Sequence, residues 1–155
     1  MNIREANIMD IEKILELEKQ VFEIHSKARP DWVKKFPLNY NYIKEIIEKN
    51  EGKIFVADIE NKIIGHCIMK IRNIKNHPVM DDMINVEIDD MCIDQEYRRK
   101  GIGKKLFEEV EKYAKEIKAK NIELMVWEFN QEAKRFYEKL GMKTRISRME
   151  YKIRD

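Results

Sequence analysis

Glycine and proline are scarce in this chain, at five and three of 155 residues. That leaves no Gly/Pro-rich linker or low-complexity stretch, and no repeat is visible, so a single domain over residues 1–155 is expected. Cysteine is rarer still. Cys67 and Cys92 both sit inside strand-like runs; two are too few for a disulfide scaffold, and they are expected to be reduced in a cytoplasmic protein. No apolar run approaches the roughly 20 residues of a membrane helix. The first residues, MNIREANIMD, lack the basic-then-apolar order of a signal peptide. An excess of one charge is also missing. With 31 Lys+Arg against 29 Asp+Glu, the net charge is +2, which gives no global attraction to nucleic acid or to an anionic membrane. The three histidines, His25, His66 and His77, have no metal-ligand spacing with one another or with the cysteines, so no metal is expected.

What is present is periodicity. The chain is 43% hydrophobic, and its Ile-rich apolar positions recur at regular steps, which argues against disorder. Asn2 to Ala6 reads as a short strand. Asp10 is placed to cap a helix with Ile14, Leu17, Val21 and Ile24 at steps of three and four, fading near His25. A second helix fits Tyr40 to Asn50, with Asn50 and Gly52 as stop signals. Ile54 to Ile59 and Lys62 to Arg72, joined at Glu60–Asn61, read as an antiparallel hairpin.

The next strand is irregular. Its apolar residues are even-numbered at Ile84, Val86 and Ile88 but odd-numbered at Met91 and Ile93. A period of two changes phase only when a residue is inserted, so a β-bulge is expected near Asp89–Asp90. Beyond it, Ile102, Leu106, Val110, Tyr113, Ala114 and Ile117 share one helical face between about Gly101 and Ala119. Ile122 to Trp127 follows as a strand parallel to the bulged one. Asn130 can cap a short helix bearing Ala133, Phe136, Tyr137 and Leu140, which Gly141 ends. Met142 to Ile153 is expected to complete the sheet with one or two strands. The fold class is α/β (α+β, mixed sheet), in the order βααβββαβαβ.

Chemistry concentrates at Tyr97-Arg98-Arg99-Lys100-Gly101-Ile102-Gly103-Lys104-Lys105, which joins the bulged strand to the amino end of an amphipathic helix. The glycines let a ligand approach the backbone. First-turn N–H groups lack intrahelical partners, and the helix dipole adds positive charge. Together with five cations this suits a phosphate or pyrophosphate; the alternative is a solvated basic helix cap. A P-loop GxxxxGK[ST] is absent. A dinucleotide fold would want a third glycine where Leu106 stands.

Taken with the downstream run Asn130, then Phe136-Tyr137 and Gly141-Met142, the segment resembles the GNAT N-acetyltransferase superfamily. That family's pyrophosphate loop, [R/Q]-x-x-G-x-[G/A], is matched by Arg98, Gly101 and Gly103. Its later N-x(5)-FY-x-x-x-G-[FM] is matched by Asn130, Phe136, Tyr137, Gly141 and Met142. The likeness is strong over residues 84–143 and weak over 20–50.

The resemblance implies acetyl-CoA as co-substrate and a bulged, splayed central strand. Pantetheine would pair with the backbone of Met91, Cys92 and Ile93. Pyrophosphate would lie on the N–H groups of Arg99, Lys100, Gly101, Ile102, Gly103 and Lys104, beside Arg98. Asn130 would bond the cofactor or act simply as a helix cap. Transfer to an amine with a pKa of about 10.4 needs a proton acceptor. Asp89 is the first candidate, with Glu87 and Asp90 behind it; an exposed polar face is the plain alternative for each. Tyr137 resembles the family's general acid for the departing CoA sulfur, against a role in packing. An N–H of Cys92 or Ile93 would polarise the thioester carbonyl. Cys92 itself is read as a packed strand residue, not a nucleophile, and the nine methionines as core filler.

The acceptor is expected to be a small-molecule or protein amine, with no nucleic acid or membrane partner; homodimer assembly is left open. Trp32, Phe36 and Tyr40 are candidates to line its pocket. The acidic residues Asp81, Asp82, Glu87, Asp89 and Asp90 point to a cationic acceptor. Two other classes compete: an inactive acyl-CoA-binding sensor module, which needs neither Tyr137 nor a base, and a nucleic-acid binder using Arg98 to Lys105, which would want further cationic stripes.

Overall fold

A computed structural model describes residues 1–34, 39–49 and 51–153. Phe36 and Asn50 lie outside the described residues. The described chain divides into two compact units, Met1–Met125 and a second beginning at Val126.

The first unit is a five-stranded sheet in the order β1 (Asn2–Glu5), β2 (Gly52–Ile59), β3 (Lys62–Ile74), β4 (Met83–Ile93), β5 (Asn121–Leu124). Neighbours are antiparallel except β4 and β5, which are parallel. The helix α3 (Ile102–Glu116) makes the crossover between them. The β2–β3 turn follows its sequence: Glu60 and Asn61 both take positive φ, 51° and 67°, as a two-residue type I′ hairpin requires.

Helices α1 (Ile11–Ala28) and α2 (Tyr40–Glu48) cover one face of the sheet. Their Ile11, Ile14, Leu17 and Ile43 form one buried core with Ile54, Val56, Ile68 and Cys92 from the strands. Helix α3 covers the other face with Leu106, Phe107 and Val110; Phe55 meets Tyr113 edge to face at 6.3 Å. Gly65 is required on that face. A Cβ there would come within 2.7 Å of Ile93 Cδ1 and 2.9 Å of the Cys92 carbonyl.

Several helix ends differ from the sequence reading. Asp10 stands at the N-cap of α1 but makes no side-chain cap bond. Its carboxylate instead takes Arg4 at 2.7 and 2.9 Å and the Asn7 N–H at 2.8 Å. The Arg4 guanidinium, which also reaches Asp58 at 3.0 Å, holds Asp10 below the usual carboxylate range. Asn7 caps the short 3-10 turn that precedes α1. Helix α1 runs on to Ala28, past His25, because Ser26 and Lys27 are tolerated in an exposed last turn. Asn39 caps α2, accepting the Tyr42 N–H at 3.0 Å. Gly52 is the first residue of β2, not a helix stop.

In the second unit, α4 (Gln131–Lys139) begins at Asn130, whose Oδ1 accepts the Ala133 N–H at 3.2 Å. It ends in a Schellman turn. Gly141 takes φ 94°, its N–H donates to the Glu138 carbonyl at 3.0 Å, and the Met142 N–H donates to the Tyr137 carbonyl at 3.1 Å. The closing strands expected over Met142 to Ile153 are not there; residues 142–153 are irregular. Alternation at Met149, Tyr151 and Ile153 selects side-chain faces but supplies no ladder partner, and a strand needs both.

Candidate functional site

The expected bulge is in β4. Ile68 of β3 stands opposite Asp90 and Met69 opposite Ile88, so Asp89 is the extra residue. A bulge turns two successive side chains to one face. Tyr42 and Lys70 reach Asp89 from the α1/α2 side, and Glu18 of α1 reaches Asp90 there.

The bulge also ends the parallel ladder. β5 pairs with Asn85 to Ile88 and stops at Leu124, whereas β3 continues along β4 as far as Ile93. From Asp89 to Ile93 the far edge of β4 carries no strand among the described residues. An unpaired edge of this kind accepts an extended amide-bearing chain as an extra strand. Met91, Cys92 and Ile93 supply it.

From Arg99 to Lys104 the chain makes an anion cradle. Arg99 takes φ 63° and Gly101 φ 79°; the first is strained by on the order of 1 kcal/mol in a non-glycine residue. Gly101 is the N-cap of α3 with no side-chain cap, and a Cβ on it would find nothing within 4 Å. The first helical bond is Lys105 N–H to the Gly101 carbonyl at 3.2 Å. The N–H groups of Ile102, Gly103 and Lys104 therefore precede the hydrogen-bonded run and lie at the positive end of the helix. The Arg98 Nε–H donates to the Ile93 carbonyl at 3.1 Å, tying the cradle to the unpaired edge. Lys100 donates to the Glu96 carbonyl at 3.1 Å and lies 4.9 Å over the Tyr97 ring, as does Lys62. Lys104 pairs loosely with Glu108 at 3.7 Å.

The candidate carboxylates differ from one another. Asp89 is exposed and already engaged: Tyr42 Oη donates to it at 2.7 Å and Lys70 Nζ at 2.9 Å. Glu87 pairs with Arg72 at 3.2 Å, and Arg72 also reaches Glu123 at 3.3 Å. Asp90 is partly exposed as a residue, but its carboxyl is set in against Glu18; burial, then the neighbouring Glu18 charge, push it well above the usual range. Burial also raises both thiols, and Cys92 Sγ donates to the Leu17 carbonyl at 3.4 Å. Cys92 is thus a protonated core residue at neutral pH.

The other expected acceptor residues are dispersed. Trp32 is 63% exposed beneath Arg29, and Tyr40 is 41% exposed. Asp81 and Asp82 lie in the β3–β4 loop, where Asp82 accepts the Asn76 N–H at 2.8 Å. Asn130 and Tyr137 belong to the second unit. There Asn130 is the cap of α4, as its plainer reading had it, and Tyr137 lies against Phe136 with ring centroids 5.0 Å apart.

Sequence reasoning missed Glu18 and treated His66 only as a metal candidate. Their signal was polarity in an apolar phase: Glu18 follows Ile14 by four residues, and His66 stands two before Ile68.

Three comparisons bear on this geometry. Residues 12–142 match the family model described as the Acetyltransferase (GNAT) family. A solved tetramutant of the BH1408 protein from Bacillus halodurans is 33% identical, covers 99% of this chain and 100% of its own, and superposes with a TM-score of 0.94. An uncharacterized N-acetyltransferase of Methanocaldococcus jannaschii is 28% identical over 90% of this chain, which spans 59% of that relative's length. The fold, though at 18% identity not the sequence, is also that of an aminoglycoside N-acetyltransferase AAC(6')-Iy solved in complex with CoA, with a TM-score of 0.75 and coverage of 99% and 100%. The half-paired β4, the glycine cradle behind it and the family match over most of the chain have one reading: this chain belongs to the GNAT acetyltransferase family.

Proposed function

We propose that the chain is one GNAT domain over residues 1–155 that moves the acetyl group of acetyl-CoA to an amine by direct attack in a ternary complex. The observation that carries this reading is the open anion cradle at Gly101 to Lys104, tied through Arg98 to the end of β4 beyond the bulge, which has no second neighbour among the described residues. A pyrophosphate would accept hydrogen bonds from the cradle, and a pantetheine arm would run along Met91, Cys92 and Ile93. The AAC(6')-Iy chain with the same fold was solved with CoA, which is consistent with that assignment.

The amine must lose a proton, be held against the thioester carbon, and leave a thiol behind. A carboxylate of β4 accepts the proton; Asp89, directly or through water, is the first candidate by sequence, with Glu87 and Asp90 behind it. An amine bound at Asp89 would meet a carboxylate and the Tyr42 phenol, the groups that now hold the Lys70 ammonium. Tyr137 would protonate the departing sulfur.

Calorimetric titration with acetyl-CoA, with NAD and a short DNA duplex as controls, tests the reading. Micromolar, acetyl-CoA-selective binding is expected. No binding by folded protein would leave only a basic helix cap and remove the enzyme. With a turned-over amine in hand, Tyr137→Phe should lower turnover by about 100-fold at unchanged acetyl-CoA affinity; an unaltered rate would return Tyr137 to packing and favour the sensor module.

A further inference from the structure

Along β3 the α1/α2 face of the sheet passes from dry to wet. His66 and Ile68 are buried, and His66 Nε2 lies 2.6 Å from Glu18 Oε1 of α1. The next residues on that face, at the strand's period of two, are Lys70 and Arg72. Lys70 stands opposite Glu87, beside the inserted Asp89. Its ammonium donates to Asp89 Oδ2 at 2.9 Å and lies 5.6 Å over the Tyr42 ring, while Tyr42 Oη donates to the same Asp89 oxygen at 2.7 Å. A primary amine is thus held by a carboxylate and an aromatic face. Arg72 makes the contrast. It pairs with Glu87 at 3.2 Å and Glu123 at 3.3 Å through a guanidinium, which stays charged and is no nucleophile. Charge pairing on this face is open to arginine, and an exposed ion pair adds little to stability; beside the bulge the chain carries an amine instead.

We infer that Lys70 is a self-acetylation site: its ε-amine takes the acetyl group of acetyl-CoA held along the β4 edge of the same chain when no other acceptor fills the place beside Asp89. This rests on the acetyltransfer reading and adds to it a substrate that the fold itself carries. The unpaired backbone begins one residue past Asp89, so the carboxylate that holds Lys70 adjoins the stretch assigned to the pantetheine arm.

The Lys70 side chain is 43% exposed, which suits both halves of the task. Its ammonium is placed by Asp89 and Tyr42, yet water reaches it, and its flexible four-carbon stem lets the amine leave Asp89 for the neighbouring edge. Burial works to lower the Lys70 ammonium, but its bonds to Tyr42 and Asp89 outweigh burial and hold it above its ordinary range. Only the small neutral fraction attacks, so the reaction is slow at neutral pH.

Water takes one proton from the Lys70 ammonium. The Nζ lone pair forms a bond to the thioester carbonyl carbon, the C–S bond breaks, and a second N–H proton ends on the CoA sulfur. The products are Nε-acetyl-lysine and CoA, with no change of oxidation state. The acetylated side chain is neutral, so Asp89 keeps its bond from Tyr42 and loses its cation.

Wild-type protein is incubated with acetyl-CoA carrying a carbon-13 acetyl group, without added amine, and heavy acetyl at each lysine is followed by peptide mass spectrometry. Lys70 should label at least about tenfold faster than Lys112, which is 65% exposed on α3. Its labelled fraction at a given time should be constant over about a tenfold range of protein concentration, as for a reaction within one chain. Two variants, checked as folded by thermal unfolding, extend the test. Gly101→Glu, which blocks the cradle, should bring Lys70 down to the Lys112 rate. Asp89→Asn separates placement from bulk chemistry. Freed of its carboxylate, the amine gives up its proton more readily, so bulk labelling would rise, whereas labelling of a placed amine should fall by about tenfold. Lys70 labelling no faster than Lys112, labelling that grows with protein concentration, full labelling in Gly101→Glu or a rise in Asp89→Asn would each overturn the proposal. Acetyl-CoA binding in calorimetry without label at Lys70 would remove self-acetylation alone; no acetyl-CoA binding would remove the acetyltransfer reading with it.

Discussion

The two halves of β4 have similar composition and opposite surroundings. From Asn85 to Ile88 the strand is paired on both edges, with β3 and with β5, and Val86 and Ile88 are buried. From Asp90 to Ile93 it pairs with β3 alone among the described residues. A single inserted residue separates a structural half from a half with backbone to offer. The bulge makes that edge available without a gap in the core, because Cys92 still packs under Leu17.

The largest expected effect strikes the closed half. Ile88→Ala should cost about 2–5 kcal/mol of unfolding free energy in a denaturant titration, since it empties a filled position between two paired edges; Ile93→Ala should cost clearly less, and equal losses would break the contrast. Next, Gly101→Glu puts a side chain and a negative charge where the anion would lie, in a left-handed conformation. Acetyl-CoA affinity should fall by at least about 100-fold, or about 2.7 kcal/mol, while the domain stays folded. Deleting Asp89 sharpens the comparison further. The residues after it already keep the faces of a regular strand, so the fold should survive. Straightening the strand should weaken acetyl-CoA binding by about tenfold.

The smallest effect is a pH dependence. Glu18 and Asp90 keep protons in the folded state that ordinary carboxyls have lost, so folded protein binds more protons than unfolded and stability should fall as pH rises through about 7. His66 acts in the opposite sense. Folded, it stays neutral down to about 4, so stability is lost as pH falls from 6.5 toward that value. Below pH 6.5 the two acids outweigh the one imidazole, so thermal unfolding should show stability falling as pH rises from about 4.5 to about 7, and Glu18→Gln should flatten that fall.

Much of this contrast was written in the chain. The phase slip between Ile88 and Met91 placed the bulge near Asp89–Asp90, because side-chain period is a local property. Gly101 and Gly141 were equally legible, since each sits in a left-handed position that few other residues accept. Other features depend on partners. The Glu18–His66 pair joins residues 48 apart, and only their shared intrusion into apolar phases hinted at it. Met142 to Ile153 alternates like a strand yet is irregular. Asp10 had the chemistry of a cap but was captured by Arg4, which reaches it from β1.

The two cysteines sit on adjacent strands but under different layers. Cys92 lies beneath α1, and Cys67, opposite Phe55, faces α3. Both are unoxidised and buried. A thiol reagent reaches either one only when its own cover lifts, so the chain carries a separate chemical clock for the opening of each layer. Single-cysteine variants would let the two breathing rates be timed independently, in the presence and absence of whatever occupies the β4 edge.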